Sequence, residues 1–121
     1  PEKILMAFDG SKTARKGVEM LARSLLFAGT ECHVLIVGAE TAERRSELEW
    51  ALGILRDAGH QAEGAIRAGE VDEALQAYEK EHGIDLLVMG AYGHSRIRHL
   101  LVGSTTTAML RGSRIPVLIL R

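Results

Sequence analysis

Short apolar runs alternate with amphipathic segments along this chain, and this alternation constrains the fold more than any other feature. Three runs have the length of strands and are mostly apolar, which is typical of strands buried on both faces: Lys3–Phe8, His33–Val37 and Asp85–Met89. Three longer segments carry apolar residues at helical spacing: residues 13–27, 41–58 and 71–82. The alternation predicts βαβ units, hence an α/β fold with a parallel sheet and helices on both of its faces.

Residues that favour turns mark the ends of these segments. Glycines stand at positions 29, 59 and 83, where a helix commonly ends in left-handed backbone. Residues 61–66 predict a weaker strand at the edge of the sheet, because Glu63 and Gly64 interrupt its apolar pattern. Ser104–Arg111 then predicts a fourth helix that starts at hydroxyl caps, and Pro116–Leu120 predicts the fifth strand.

Composition narrows the class of protein. The 121 residues are 46% hydrophobic and 26% charged, which is typical of one globular domain over residues 1–121. A formal net charge of −1 gives no basic excess, so we expect no nucleic-acid partner. Cys32 is the single cysteine, and no apolar run approaches the roughly 20 residues that span a bilayer. We therefore expect a cytoplasmic protein without membrane insertion, either complete or one half of a tandem pair.

A glycine-rich segment follows the predicted fourth strand, and its position matters as much as its composition. Parallel sheets bind ligands beyond the carboxyl ends of their strands, so function is expected after strands one, two and four. The segment GAYGHSRIRHLLVGST runs from Gly90 to Thr105 and ends at a predicted helix start. Glycines allow backbone amides to approach an anion, and the hydroxyls of residues 104–107 add donors for phosphate or a Mg²⁺ ion bound to it. Glycine at a strand end and hydroxyl caps before a helix are also common without any ligand, and this interpretation explains the same spacing about as well.

Two better-known phosphate loops are excluded. The chain has no GxxxxGK[ST] sequence, and the turn after strand one reads DGSKTARKG instead of GxGxxG. The glycine segment instead resembles the ATP-binding motif of the universal stress protein family: Gly90, two residues, Gly93, nine residues, Gly103 and Ser104. The strand-one ending at Asp9 and the closing run Ile115–Leu120 are also similar to that family, so the resemblance covers nearly the whole chain.

The resemblance implies a Rossmann-like, adenine nucleotide alpha hydrolase-like fold and an ATP site, with Mg²⁺ held through the phosphates. It implies that the glycine loop wraps phosphates and ribose, that Asp9 faces the nucleoside, and that a main-chain group of Val37 recognises adenine. The candidate nucleotide-binding residues are Ala7, Asp9, Ser11, Val37, Met89, Gly90, Gly93, Gly103, Ser104, Thr105 and Thr106. Asp9 has an alternative role, since Asp before Gly and Ser often only starts a turn.

The sequence departs from the family pattern beside the site. The link from strand two to helix two is only Gly38–Glu40, where many members have a longer segment, so one wall of the site is expected to be more open. Ala7 and Phe8 stand before Asp9 where several members have Pro or Val and a small residue.

The predicted function is that of an ATP-binding regulatory protein of the stress response, in which nucleotide orders the glycine loop and changes a surface facing an unknown protein partner. The resemblance also implies a homodimer through antiparallel pairing of Pro116–Leu120, which would cover an apolar edge strand. A Mg²⁺-dependent nucleotide hydrolase is the alternative enzyme, although the sequence shows no positioned base, and slow hydrolysis fits either hypothesis. A third hypothesis is an interaction module that binds no nucleotide.

The remaining reactive side chains have simple interpretations. His94 and His99, with neighbouring arginines, either neutralise phosphate charge or are solvated loop residues. We interpret His33, His60 and His82 as capping or solvated residues, and their spacing predicts no metal site. Cys32 has no visible base partner and is predicted to be a buried, inert thiol, and Trp50 is expected to flank the core.

Overall fold

A computed structural model describes residues 2–90 and 115–120, and within them five parallel strands form one sheet. The strands are β1 (Lys3–Ala7), β2 (Glu31–Val37), β3 (Gln61–Arg67), β4 (Leu86–Gly90) and β5 (Val117–Leu120). Their order across the sheet is β3, β2, β1, β4, β5, so the winding direction reverses between β1 and β4. The predicted fold class is confirmed, as is the edge position of β3.

In the described part of the chain, three α-helices connect strands β1 to β4, and polar caps or glycine set most of their ends. The helices are α1 (Lys12–Arg23), α2 (Ala42–Asp57) and α3 (Val71–His82). The Ser11 and Thr41 side chains accept hydrogen bonds from backbone amides of the first turns of α1 and α2. Gly83 ends α3 at φ +65°, a left-handed backbone that costs glycine little.

The predicted end of the first helix is wrong. Helix α1 stops at Arg23 because Ser24 adopts extended backbone, and residues 25–27 form a separate turn of 3₁₀ helix. Leu25, which the helical spacing placed on the apolar stripe, is therefore 92% exposed. The predicted helix 104–111 lies outside the described residues.

The core lies on both faces of the sheet. Helices α1 and α2 cover one face, where Val18 and Leu48 pack among the side chains of Ile4, Val34 and the neighbouring strands. Helix α3 covers the other face, where its Leu75 and Tyr78 pack with Leu5, Leu35 and Leu87. Because alternate residues of a strand point to opposite faces, each buried strand contributes to both layers.

Gly64 explains why β3 has a weak strand pattern. A Cβ at this position would lie 2.7 Å from the Val34 carbonyl oxygen and 2.7 Å from a methyl carbon of Leu48. The glycine therefore lets helix α2 lie close against the edge of the sheet.

Trp50 flanks the core as expected. Its ring stacks on Phe8 at 6.2 Å between centroids, and the guanidinium of Arg15 lies 5.3 Å from its centroid. None of the helices within the described ranges has the length and apolar character needed to cross a bilayer.

Candidate functional site

A cavity of about 80 Å³ opens at the carboxyl edge of the sheet, at the point where the winding reverses. The ends of three strands and the start of α3 form its wall: Ala7, Phe8, Asp9, Leu35, Val37, Val71, Met89 and Gly90. Most of these side chains are apolar, whereas Asp9 places a carboxylate at the rim. Such a wall suits a flat, largely apolar group with polar atoms at its edge.

Asp9 has two roles in this geometry. Its Oδ1 accepts a hydrogen bond of 3.0 Å from the Ser11 amide, which makes the turn that leads into α1. The same residue lines the cavity, so a role in forming the turn and a role toward a ligand are compatible. Gly10 between them has φ +77°, and a Cβ there would collide with the carboxylate of Glu47.

A polar groove of about 330 Å³ adjoins the cavity and shares Asp9 and Val37 with it. Its other lining residues are Ile36, Thr41, Glu43, Arg44 and Glu47. Arg44 closes the short link after β2, because its guanidinium donates to the Ala39 carbonyl at 2.8 Å. The fold thus gathers carboxyl groups beside the cavity that are far apart in the sequence.

Five of the eleven predicted site residues line the cavity: Ala7, Asp9, Val37, Met89 and Gly90. Ser11 is engaged elsewhere, since its Oγ accepts the Ala14 amide at 3.1 Å and caps α1. The other five lie outside the described residues, and their role stays a prediction: Gly93, Gly103, Ser104, Thr105 and Thr106.

Sequence reasoning missed three residues of the wall. Phe8 and Leu35 belong to strand runs, and Val71 is the first apolar residue of α3, so each was interpreted as core. Helices that follow parallel strands begin at the carboxyl edge, and this rule is the signal that could have identified Val71.

Cys32 is buried, as predicted, but a histidine lies beside it. The His60 Nδ1 is 3.6 Å from the thiol and 3.0 Å from the Thr30 carbonyl oxygen. A carbonyl oxygen only accepts hydrogen bonds, so Nδ1 carries a proton and donates a hydrogen bond to the Thr30 carbonyl. Nδ1 therefore cannot act as a base toward the thiol. Burial raises the pKa of the Cys32 thiol, which supports an inert role.

The prediction that His33 and His60 are capping or solvated residues is wrong. His33 is 1% exposed and His60 is 6% exposed. Both lie where neighbouring strands and helices cover them, which local sequence does not reveal.

Comparisons with known proteins find a matching family and similar sequences and structures. The model of the universal stress protein family matches residues 37–121. The chain is 42% identical over 121 residues to Universal stress protein Slr1230 of Synechocystis sp., covering 98% of this chain but 42% of that protein, so it spans less than half of this relative.

Solved structures are similar over nearly the whole chain. Protein MJ0577 of Methanocaldococcus jannaschii has a TM-score of 0.83 at 25% identity, over 98% of this chain and 94% of that one. A universal stress protein in complex with cAMP has a TM-score of 0.79 at 25% identity, over 99% and 96%. The family model and the sequence identity together show that this chain belongs to the universal stress protein family.

Proposed function

We propose that this chain binds ATP at the carboxyl edge of the sheet and acts as a nucleotide-dependent regulatory protein of the stress response. The observation that carries the proposal is the cavity at the switch point, around which Ala7, Asp9, Val37, Met89 and Gly90 come together. The base occupies the apolar wall, and the Val37 backbone at the end of β2 recognises its edge. A similar structure that holds cAMP supports an adenine nucleotide as the ligand class.

The triphosphate extends from the cavity toward the glycine segment in this proposal. Gly90 ends β4 at the cavity wall, so the segment 90–104 starts beside the nucleoside. Its glycines and the hydroxyls of Ser104, Thr105 and Thr106 supply donors for phosphate, and Mg²⁺ binds through the phosphate oxygens. Nucleotide then orders this segment and changes the surface it offers to a partner.

The test is calorimetric titration of the nucleotide-free protein with ATP and Mg²⁺. A Val71→Trp variant fills the cavity from the first turn of α3, and we expect it to weaken ATP binding by about tenfold or more, which corresponds to about 1.4 kcal/mol. Lys80→Trp adds the same ring at an exposed position of the same helix and should bind ATP like the wild type. Absence of ATP binding by the wild type, or equal affinity in both variants, would overturn the proposal.

The groove beside the cavity favours nucleotide hydrolysis as a second candidate. Asp9, Glu43 and Glu47 bring carboxyl groups to one surface, where they are able to orient water or a metal-bound phosphate. A turnover assay with excess ATP distinguishes the two functions. Sustained release of ADP that is lost in Glu47→Gln supports an enzyme, whereas stable bound ATP supports the regulatory protein.

The proposal includes a homodimer of this domain in the cytoplasm. Strand β5 pairs with β4 and lies at the end of the strand order, so its other edge has no partner strand among residues 2–90 and 115–120. Antiparallel pairing of residues 116–120 with the same segment of a second chain would provide hydrogen-bond partners for the backbone groups of that edge. Light scattering at high concentration that returned only monomer would remove the dimer from the proposal and leave the nucleotide site untouched.

A further inference from the structure

Two histidines and a glutamate converge on the α3 face of the sheet. His33 and Glu63 are partners in the parallel register of β2 and β3, and His82 is the last residue of α3. One potential ligand atom from each residue lies within 4.8 Å of those of the other two. The three residues are far apart in the sequence, so the register of the sheet and the length of α3 create the cluster.

His33 is held in one orientation before any ligand arrives. It is 1% exposed, and its Nε2 lies 2.6 Å from the carboxylate of Glu31, two residues earlier on the same strand. A carboxylate oxygen at this distance accepts the hydrogen bond, so Nε2 carries the proton. The lone pair of neutral His33 is then on Nδ1, the nitrogen that faces Glu63. A carboxylate behind a histidine in this way is the arrangement that orients metal ligands in proteins.

Two of the three ligand-atom distances fit a small four-coordinate ion, and the third, between the two histidines, is no longer than 4.8 Å. With bonds of about 2.1 Å in tetrahedral geometry, two ligand atoms lie about 3.4 Å apart. The His33 Nδ1 is 3.3 Å from Glu63 Oε1, and the His82 Nδ1 is 3.7 Å from the same oxygen. Glu63 and His82 are 59% and 31% exposed in their side chains, so both can adjust around the fixed His33.

We propose that His33, Glu63 and His82 form a binding site for a divalent transition-metal ion of the zinc class. Two imidazoles and one carboxylate are ligands that Zn²⁺ prefers, and a water completes the fourth position. Mg²⁺ and Ca²⁺ require mainly oxygen ligands, so the same residues discriminate against them.

Tyr78 and Lys3 are the neighbours that the ion must accommodate. The Tyr78 hydroxyl lies 2.7 Å from His33 Nδ1 and donates to that lone pair, since Nε2 holds the proton of the ring. A metal ion on Nδ1 replaces this hydrogen bond. The Lys3 ammonium donates to the His82 carbonyl at 3.3 Å, and the Arg67 guanidinium lies 4.9 Å from the centre of the Tyr78 ring. These two cations face the three carboxylates of Glu31, Glu63 and Glu81.

The metal site is separate from the proposed nucleotide site. Val71 at the start of α3 lines the cavity, whereas His82 ends the same helix about 16 Å away along its axis. Failure of one proposal therefore leaves the other standing. A bound ion would tie the edge strand β3 to β2 and to the end of α3.

The experiment titrates the full chain, free of nucleotide, with Zn²⁺ by calorimetry and with Co²⁺ by visible absorption. His82→Gln and Glu63→Gln remove one ligand each at positions that are not buried, and unfolding curves without metal establish that both variants fold. Glu73→Gln is the matched control, because it removes an exposed carboxylate of α3 that lies outside the cluster. Glu31→Gln keeps all three metal ligands but removes the carboxylate that orients His33, and it should weaken Zn²⁺ binding by about 10- to 100-fold.

We expect one Zn²⁺ per wild-type chain, tetrahedral cobalt absorption, and a larger loss in the two ligand variants than in Glu31→Gln. The control variant should bind Zn²⁺ as the wild type does. Zn²⁺ should raise the unfolding temperatures of the wild type and the control variant, and of neither ligand variant. The proposal is overturned if wild type gives neither heat nor cobalt absorption, or if the ligand variants bind Zn²⁺ with unchanged affinity.

Discussion

The face of the sheet under α1 and α2 is closely packed and mostly apolar, with one buried histidine, His60, beside Cys32. The face under α3 instead contains a hydrogen-bonded histidine and tyrosine among its leucines. On the first face, glycine at position 64 allows α2 to approach the backbone of β2. On the second face, a chain of contacts from Glu31 through His33 to Tyr78 occupies the space of further apolar side chains. The stability of the first face therefore depends mainly on the close packing of apolar side chains. The stability of the second face depends also on polar side chains that pair with one another.

The largest effect is expected from removing Leu48, which is fully buried on the first face. Leu48→Ala leaves a cavity between α2 and the sheet, and we expect a loss of about 2–5 kcal/mol in the free energy of unfolding. Urea unfolding followed by circular dichroism and by Trp50 fluorescence measures the change.

Leu26→Ala is the control for this truncation, since the Leu26 side chain is 86% exposed. Its effect should stay within about 0.5 kcal/mol. A small loss in Leu48→Ala would show that this face does not depend on close packing.

Gly64→Ala tests directly whether the stability of the fold depends on the close approach of α2 to the edge of the sheet. The added Cβ meets the Val34 carbonyl oxygen, a backbone atom that cannot move aside, and we expect a loss of about 1–3 kcal/mol. In Gly53→Ala the new Cβ meets nothing within 4 Å, and the helix should gain about 0.5–1 kcal/mol. Equal effects in the two variants would mean that glycine at position 64 has no packing role.

Tyr78→Phe tests the second face with a smaller change. The ring contacts with His33 and His82 remain, but the hydrogen bond to His33 Nδ1 is lost. We expect a loss of about 1 kcal/mol, the usual net value of such a bond. Urea unfolding without metal measures the change, and a variant as stable as the wild type would show that matched polar partners do not support this face.

The two faces also differ in how far sequence predicts them. Apolar periodicity predicted the strands, the sheet and most of the helix ends, because burial repeats every two or 3.6 residues. It failed at Ser24, where one residue in extended backbone ends α1 early. Periodicity carries no information on which residues of separate strands become partners, so the cluster around His33 was missed.

The candidate nucleotide site was easier to predict because its motif is local. Gly90, Gly93, Gly103 and Ser104 belong to one continuous segment, and the ends of strands one, two and four meet by topology alone. Val71 reaches the cavity from a helix start, and Glu47 reaches the adjoining groove from the middle of α2. Such contributions depend on where helices lie on the sheet, which no local pattern specifies.

The smallest expected effect is a difference in acid sensitivity. The hydrogen bond from His33 holds the pKa of Glu31 below its ordinary value of 4.5, so the folded state favours the carboxylate. This stabilisation is present above about pH 4.5 and is lost as the pH falls through the lower folded value. Glu31→Gln keeps an acceptor for His33 but does not titrate.

We therefore expect the free energy of unfolding of Glu31→Gln to fall less steeply than that of the wild type between about pH 5 and pH 3. Asp85 has a pKa lowered by the amides of Lys3 and Glu2, so part of the slope remains in the variant. Amide exchange at the lower pH should increase in α3 before it increases in α2, because Glu31 supports the face under α3. Parallel pH curves for the two proteins would show that Glu31 does not stabilise the fold, and exchange that increases first in α2 would show that the face under α3 is not the acid-sensitive one.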